Sequence, residues 1–125
     1  MIVHLRTSDL EERDLNALAP MTVPEGLMFP ELEARWRDGR DSDVYLSLDL
    51  FAGTSPVHGW AHVFYGKHSP IPDFHVFVRE EFRRSGIGTA LFNRAREDHG
   101  ALRVFRSGDL AKAFYDTVEK LQKTP

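Results

Sequence analysis

The chain has 125 residues, of which 42% are hydrophobic and 11% aromatic, a composition that suits one globular domain spanning 1–125. Its 19 acidic residues outnumber 16 lysines and arginines, so the net charge of -3 gives no general basis for binding nucleic acid or an anionic membrane. The absence of cysteine excludes disulfides, thiolate metal ligands and a cysteine nucleophile. With no leader pattern and no apolar run near the roughly 18 residues that cross a bilayer, we expect a cytoplasmic protein.

The first 40 residues predict a strand and two helices. A β-type apolar run at 2–5 is followed by a polar segment at 7–9, which can cap a helix whose leucines lie within 10–18. Three prolines and a glycine make 20–30 a loop, and a short helix over 30–38 follows it.

The middle of the chain predicts three strands. The alternation over 43–51 has the period of two expected for a strand with one buried face. After a turn at 52–56, residues 59–65 predict the return strand of an antiparallel hairpin, with both faces at least partly covered. A connection that contains two prolines leads to a third strand over 73–78.

A turn with two glycines follows this strand and leads into a helix that Gly88 opens. The helix presents Ile87, Leu91 and Ala95 on one face, and Gly100 is placed to cap its C-terminus.

The last part of the chain predicts a short apolar strand over 101–105 and a final helix capped by 107–109. The order is therefore strand, two helices, three strands, helix, strand, helix. This order predicts a mixed α/β sheet with helices packed against it, in a single domain.

The turn before the Gly88 helix has the composition of an anion site. The first N–H groups of a helix lack partners within the helix, and the helix dipole adds positive charge there. Gly86 and Gly88 would let phosphate oxygens approach the backbone, while Arg83 and Arg84 add cationic groups. The triphosphate-binding loop is absent, and Leu91 stands where a dinucleotide fingerprint needs a small residue, so neither a nucleoside-triphosphatase nor a dehydrogenase is supported.

The run from Val76 to Leu91, with the form R-x-x-G-x-G, resembles the central motif of the GNAT N-acetyltransferase superfamily. The stretch Ala113-Phe114-Tyr115 is similar to the A-x-x-[FLY]-Y pattern of that family's last helix, and the order of elements also agrees. The resemblance implies a GNAT-like acyltransferase fold that ends after the last helix. It also implies transfer of an acetyl group from acetyl-coenzyme A to a primary amine of a protein or a small molecule.

The same resemblance implies the cofactor residues. The backbone of Phe77 and Val78 would pair with the pantetheine arm of acetyl-coenzyme A. Tyr115 matches the tyrosine that many members place beside the sulfur, and it would protonate the leaving thiolate. The pyrophosphate would be held by the whole turn, which consists of Arg83, Arg84, Ser85, Gly86, Ile87, Gly88 and Thr89.

Acetyl transfer also needs a base, because a lysine-like amine has a reference pKa of about 10.4. Asp73 and His75 lie on the strand where family members often have a glutamate, and the reference pKa of histidine is near the working pH. Glu80 and Glu81 at the end of that strand, and His62 on the neighbouring strand, are further candidates. The six histidines show no metal-ligand spacing, so no metal is expected. With no cysteine and no activated serine, attack would be direct.

Three features of the sequence depart from the family pattern. Gly108 replaces a usual asparagine, residues 118–120 replace a common Gly-Phe pair, and the chain stops at Pro125 before the last one or two strands. The strand over 101–105 would then be a sheet edge, which predicts an open acceptor cleft or a homodimer formed by edge pairing.

Two alternatives to an enzyme remain. The first, which the departures favour, is a non-catalytic module that binds acetyl-coenzyme A and acts on a partner protein. The second is an interaction domain whose glycine turn is only a strand–helix corner with solvated arginines.

Overall fold

The computed structural model describes residues 1–22, 28–48, 57–67 and 69–104. Within these ranges lie five strands: β1 Ile2–Arg6, β2 Asp43–Leu48, β3 Val57–Phe64, β4 Asp73–Val78 and β5 Arg103–Val104. The same ranges contain three α-helices, α1 Glu12–Leu18, α2 Met28–Arg37 and α3 Ile87–His99, and two short 3-10 helices, Thr7–Asp9 and Glu80–Phe82. The predicted order of elements is confirmed through β5, and the predicted last helix lies outside the described residues. None of the described helices is long and apolar enough to cross a membrane.

The five strands form one sheet in the order β1-β2-β3-β4-β5. The pairs β1–β2, β2–β3 and β3–β4 are antiparallel, whereas β5 runs parallel to β4, so the prediction of a mixed sheet is confirmed. The strand β5 pairs with β4 through Asp73↔Arg103 and Phe74↔Val104. Residues 101 and 102 of the predicted strand lie before β5, and Phe105 is outside the described ranges.

The sheet separates two apolar clusters, because successive side chains of a strand point to opposite faces. On one face α3 covers the sheet, and the buried cluster there consists of Tyr45, Ala61, Val63, Phe74, Leu91, Phe92, Ala95 and Leu102. On the other face α1 and α2 cover it, and the cluster consists of Leu10, Leu15, Leu18, Met21, Met28, Leu32, Val44 and Trp60. Ile87 packs against the first cluster, so the predicted apolar face of α3 is confirmed.

The prediction that β2 has a single buried face is wrong. Val44 belongs to the cluster under α1 and α2, and Tyr45 belongs to the cluster under α3. Asp43 and Ser47, on the same face as Tyr45, are also buried. A strand that lies inside the sheet, with helices on both faces, loses the simple alternation of buried and exposed residues.

The first helix begins later than the sequence predicted. Asp9 does not cap α1, because its carboxylate accepts the backbone N–H of Arg6 at 2.9 Å and so caps the 3-10 helix Thr7–Asp9. The helix α1 then begins at Glu12, where the Asp14 carboxylate accepts the N–H of Glu11 at 2.8 Å. Either Asp9 or Asp14 could mark the start of α1 by residue type, and the local sequence does not distinguish between them.

The second and third helices agree better with the sequence. The helix α2 begins at Met28, two residues before the predicted start. It tolerates Pro30 in its first turn, because proline lacks an N–H and the first N–H groups of a helix have no partner within it. Gly100 ends α3 as predicted, with φ of 77° and its N–H donated to the carbonyl of Arg96 at 2.8 Å.

Candidate cofactor and acceptor site

The connection from β4 to α3 contains two residues in the left-handed region, Arg84 with φ of 66° and Gly86 with φ of 85°. Gly86 is the N-cap of α3, so the helix opens one residue before Gly88, which the sequence had predicted as its start. A Cβ on Gly86 would meet no atom of the described residues within 4 Å. Glycine is therefore favoured by the backbone conformation, and no described residue fills the space beside the turn.

The N-terminus of α3 is arranged to receive an anion. Gly86 has no side chain that could cap the helix, and the first turn of α3, all of which is described, contains no acidic residue. The first N–H groups have no acceptor within the helix, and the helix dipole makes this end positive. Arg83, Arg84 and Ser85 are exposed on the same turn. The structure thus brings together the residues that the sequence predicted for the pyrophosphate, 83–89, and their role in binding stays a prediction.

The turn is tied to the end of β4 by its own side chains. Arg83 Nε donates to the carbonyl of Val78 at 3.0 Å, and its guanidinium carbon lies 5.8 Å from the centre of the Phe77 ring. The hydroxyl of Ser85 donates to the carbonyl of Phe82. Ser85 therefore stabilises the turn, and a pantetheine arm that pairs with Val78 would have to share this carbonyl with Arg83.

Close packing of β3 fixes the strand segment that was predicted to bind pantetheine. A Cβ on Gly59 would lie 2.7 Å from the carbonyl oxygen of Phe77 and 3.2 Å from the Cα of Val78. Only glycine fits at this point without a shift of backbone. The predicted pairing of pantetheine with Phe77 and Val78 concerns the other edge of β4, on the side away from β3. This pairing stays a prediction.

The two candidate bases on β4 differ sharply in their surroundings. Asp73 is buried, and its Oδ1 accepts the Arg103 Nε at 2.7 Å, so this carboxylate connects β4 to β5. His75 is half-buried, and burial lowers the pKa of its imidazole, although the carboxylates of Asp73 and Glu31 act in the opposite direction. A lowered pKa keeps the ring neutral near pH 7, which is the state that a base requires.

The other candidate bases are either buried or exposed on a turn. His62 has no exposed surface and its Nε2 lies 2.7 Å from the hydroxyl of Ser42, so it does not line an open cleft. Burial, and then the positive charges of His75 and Arg35, lower the pKa of His62 well below its ordinary value. The exposed side chains of residues 80 and 81 lie in the 3-10 helix after β4.

Several predicted features lie outside the described residues. These are Tyr115, the proposed acid for the thiolate, and the positions at Gly108 and 118–120 that depart from the family pattern. The acid therefore stays a prediction made from the resemblance.

One network of charged residues was not found from the sequence. The buried carboxylate of Asp43 accepts Arg6 Nη1 at 2.9 Å and lies 2.6 Å from His4 Nε2 and 3.0 Å from His99 Nε2. Asp43 thus connects β1, β2 and the end of α3. The network had no local signal in the sequence, because each partner is 37 or more residues away from Asp43 along the chain. Among the described residues, no group of three or more His, Asp or Glu side chains could hold a metal ion.

No family model and no curated protein matches the chain, whereas solved structures do. A phosphinothricin N-acetyltransferase whose assignment is itself provisional is 19% identical, covers 97% of this chain and 82% of its own, and has a TM-score of 0.62. AAC(6′)-Iy, solved in complex with the bisubstrate analog CoA-S-monomethyl-acetylneamine, is 11% identical with a TM-score of 0.60, covering 100% and 91%. A ribosomal-protein-alanine N-acetyltransferase from Brucella melitensis is 23% identical with a TM-score of 0.56, covering 95% and 82%. These likenesses establish that the chain has the fold of the GNAT N-acetyltransferases.

Proposed function

We propose that this protein is an N-acetyltransferase that moves the acetyl group of acetyl-coenzyme A to a primary amine by direct attack. The observation that carries the proposal is the open turn between β4 and α3. There Gly86 leaves the first N–H groups of α3 accessible, and exposed Arg83 and Arg84 flank them. A protein of the same fold was solved with an analog that contains coenzyme A, which supports acetyl-coenzyme A as the co-substrate.

In this proposal the cofactor lies along the end of β4. The pyrophosphate binds the turn over 83–89 through backbone N–H groups and guanidinium groups, a combination suited to phosphate oxygens. The backbone of Phe77 and Val78 directs the pantetheine arm along the strand. His75 is three residues before Val78, about 10 Å along a strand, which brings the base within reach of the thioester end.

We assign the base to His75 rather than to Asp73. The Asp73 carboxylate is occupied by Arg103 at 2.7 Å, whereas the neutral imidazole of His75 can take a proton near pH 7. The ammonium group of the acceptor gives one proton to His75, and the neutral nitrogen attacks the carbonyl carbon of the thioester. The C–S bond then breaks, and the thiolate takes a proton from Tyr115, the acid that the resemblance implies. The nitrogen loses its second proton as the amide forms, and a proton from solvent restores the phenol of Tyr115.

The acceptor is proposed only as a primary amine of a small molecule or a protein. The names of proteins with this fold refer to phosphinothricin and to ribosomal-protein alanine, and one was solved with a neamine analog. Such different acceptors on one fold mean that the fold by itself does not select the amine.

Calorimetry with acetyl-coenzyme A tests the cofactor site. We expect Gly86→Glu to weaken binding more than tenfold, because the side chain places a carboxylate at the anion site and removes charge-assisted hydrogen bonds. Gly100→Glu is the matched control: Gly100 also has a positive φ, 77°, and its Cβ would meet no atom of the described part of the chain within 4 Å, but it lies at the opposite end of α3. Equal affinities in wild type and Gly86→Glu would refute this placement of the cofactor.

A thiol-release assay over a panel of amines and peptides tests the chemistry. We expect His75→Gln and Tyr115→Phe each to lower kcat by about 10²- to 10⁴-fold while acetyl-coenzyme A still binds. Tyr65→Phe, which alters an exposed tyrosine, serves as the control for Tyr115→Phe. A chain that binds acetyl-coenzyme A but releases no thiol with any amine would be the non-catalytic binding module instead.

A further inference from the structure

A line of polar side chains crosses the interior of the protein and ends at His75. Thr7, after β1, is 1% exposed, Ser42, before β2, is 4% exposed, and His62 on β3 is 0% exposed. His75 on β4 is paired directly opposite His62 in the strand register. Apolar side chains would fill such positions without the cost of burying polar groups, so the line requires an explanation.

The acceptor at the end of the line supports one assignment of its protons. We assign the single proton of the Thr7 hydroxyl to the carbonyl of Ser42, which lies 3.1 Å away and can only accept. With this assignment, the hydrogen bond between the hydroxyls of Thr7 and Ser42 is donated by Ser42. Ser42 Oγ then has only acceptor capacity left for His62 Nε2, which lies 2.7 Å away, so this nitrogen carries the proton of the ring.

The other ring nitrogen of His62 is consequently an acceptor. Its Nδ1 is buried and has no hydrogen-bond partner among the described residues. The rings of His62 and His75 both pack against Phe64, with centroids 4.7 and 5.1 Å from its ring. His62, directly opposite His75 and on the same face of the sheet, thus has an acceptor lone pair whose orientation Ser42 and Thr7 hold in place.

We propose that His62 is a positioning residue for His75, whose ring donates a hydrogen bond to His62 Nδ1 once it has taken the proton of the acceptor amine. The inference rests on the proposed function, in which His75 is the base. A fixed acceptor orients the imidazolium ring and stabilises its charge, which burial of His75 otherwise disfavours. Thr7 and Ser42 act through His62, and none of the three contacts the reacting atoms.

The charged groups around the two rings agree with this division of roles. Asp73 on β4 and Glu31 on α2 favour the charged form of His75. Arg35 on α2 and the positive charge of His75 both disfavour a charge on His62, which burial already keeps neutral. His75 therefore takes the proton, and His62 keeps its lone pair.

Nitrogen-15 NMR of the histidine rings in the full chain tests the proposal. We expect wild-type His62 to carry its proton on Nε2. In His62→Leu the pKa of His75 should fall by about one unit, a tenfold change in its protonation equilibrium, and Ser42→Ala should lower it by less. His58→Leu is the matched control, because His58 is a second histidine of β3, four residues from His62, and its ring stacks on Phe82 with centroids 3.8 Å apart.

Two results would overturn the proposal: a His62 ring protonated on Nδ1 in wild type, or an unchanged pKa of His75 in both variants. If His62→Leu does not fold, as judged by circular dichroism, Ser42→Ala and the wild-type tautomer decide the question. In the thiol-release assay the acid limb of kcat should move to lower pH with the pKa of His75. If His62→Leu changes the pKa of His75 but the protein transfers acetyl groups to no amine, the positioning role stands and the proposed function is refuted. If the protein transfers acetyl groups but the pKa of His75 does not respond to His62→Leu, the proposed function stands and the positioning role is refuted.

Discussion

Gly59→Ala perturbs the point where β3 approaches β4 most closely. The added Cβ would lie 2.7 Å from the carbonyl oxygen of Phe77 and 3.2 Å from both the Cα and the Cγ2 of Val78. Two of these three atoms belong to backbone, so the strands must move apart, because rotation of a side chain cannot relieve the contact. Overpacking of this kind costs about 1–3 kcal/mol. The reduced freedom of the unfolded chain returns about 0.4–1 kcal/mol, so we expect a net loss of about 1–2 kcal/mol.

Urea denaturation followed by tryptophan fluorescence measures this loss, since Trp60 is fully buried beside the substituted residue. With a slope of about 1–3 kcal/mol per molar urea, the midpoint should fall by about 1 M. Gly66→Ala is the matched control, because among the described residues its Cβ would meet only Asp73 Oδ2 at 3.9 Å, an ordinary contact. We expect the control to remain within about 0.5 kcal/mol of wild type. Equal midpoints for Gly59→Ala and Gly66→Ala would refute the argument from close packing.

Two further predictions concern the partners of two carboxylates, Asp98 and Asp73. Tyr45→Phe removes the hydroxyl that donates to Asp98 at 2.8 Å, the main cause of the lowered pKa of Asp98. This stabilisation is present above about pH 4 and is lost as the pH falls through the lowered pKa of Asp98. The urea midpoints of wild type and variant should therefore differ at pH 7 and approach each other near pH 2. A difference in midpoint that does not change with pH would contradict this prediction. Arg103→Met should cost more stability than Asp73→Asn, because it leaves a carboxylate that is 8% exposed without its guanidinium, whereas the guanidinium side chain is 57% exposed to water. Thermal unfolding checks this order, and equal losses would argue against it.

The features that the sequence predicted well have local signals. The bounds of β4, Asp73–Val78, agree with the predicted strand, because prolines precede it and a charged turn follows it. Gly100 was recognisable as a cap because it stands at the end of a helical apolar pattern. The burial of β2 on both faces had no such signal, since it depends on which helices pack against each face of the sheet. The start of α1 was also missed, because Asp9 and Asp14 are equally suitable caps by type.

The candidate site divides in the same way. The turn over 83–89 was recognisable because its glycines and arginines are adjacent in the chain, and the structure places them on one surface. The states of the candidate bases depend on contacts between distant residues. Asp73 is occupied by Arg103, 30 positions away, and His62 is held by Ser42, 20 positions away. Neither pairing is visible in the spacing of a single sequence.

The strand β4 connects the proposed cofactor turn to the proposed base, His75. Variants that displace β4 should therefore lower kcat, whereas variants in the turn should lower only the affinity for acetyl-coenzyme A. Its end at Phe77 and Val78 is held by the close approach of Gly59, and His75 lies within the same six residues. A paired strand moves as a unit, so a displacement forced at Gly59 changes the position of His75 as well as the backbone proposed for pantetheine. Misplacement of catalytic groups by about 1 Å can lower rates by about 10²-fold. Gly59→Ala should therefore lower kcat even at saturating acetyl-coenzyme A, whereas Gly86→Glu should act on affinity alone. A Gly59→Ala enzyme with wild-type kcat at saturation would mean that β4 does not transmit the displacement to His75.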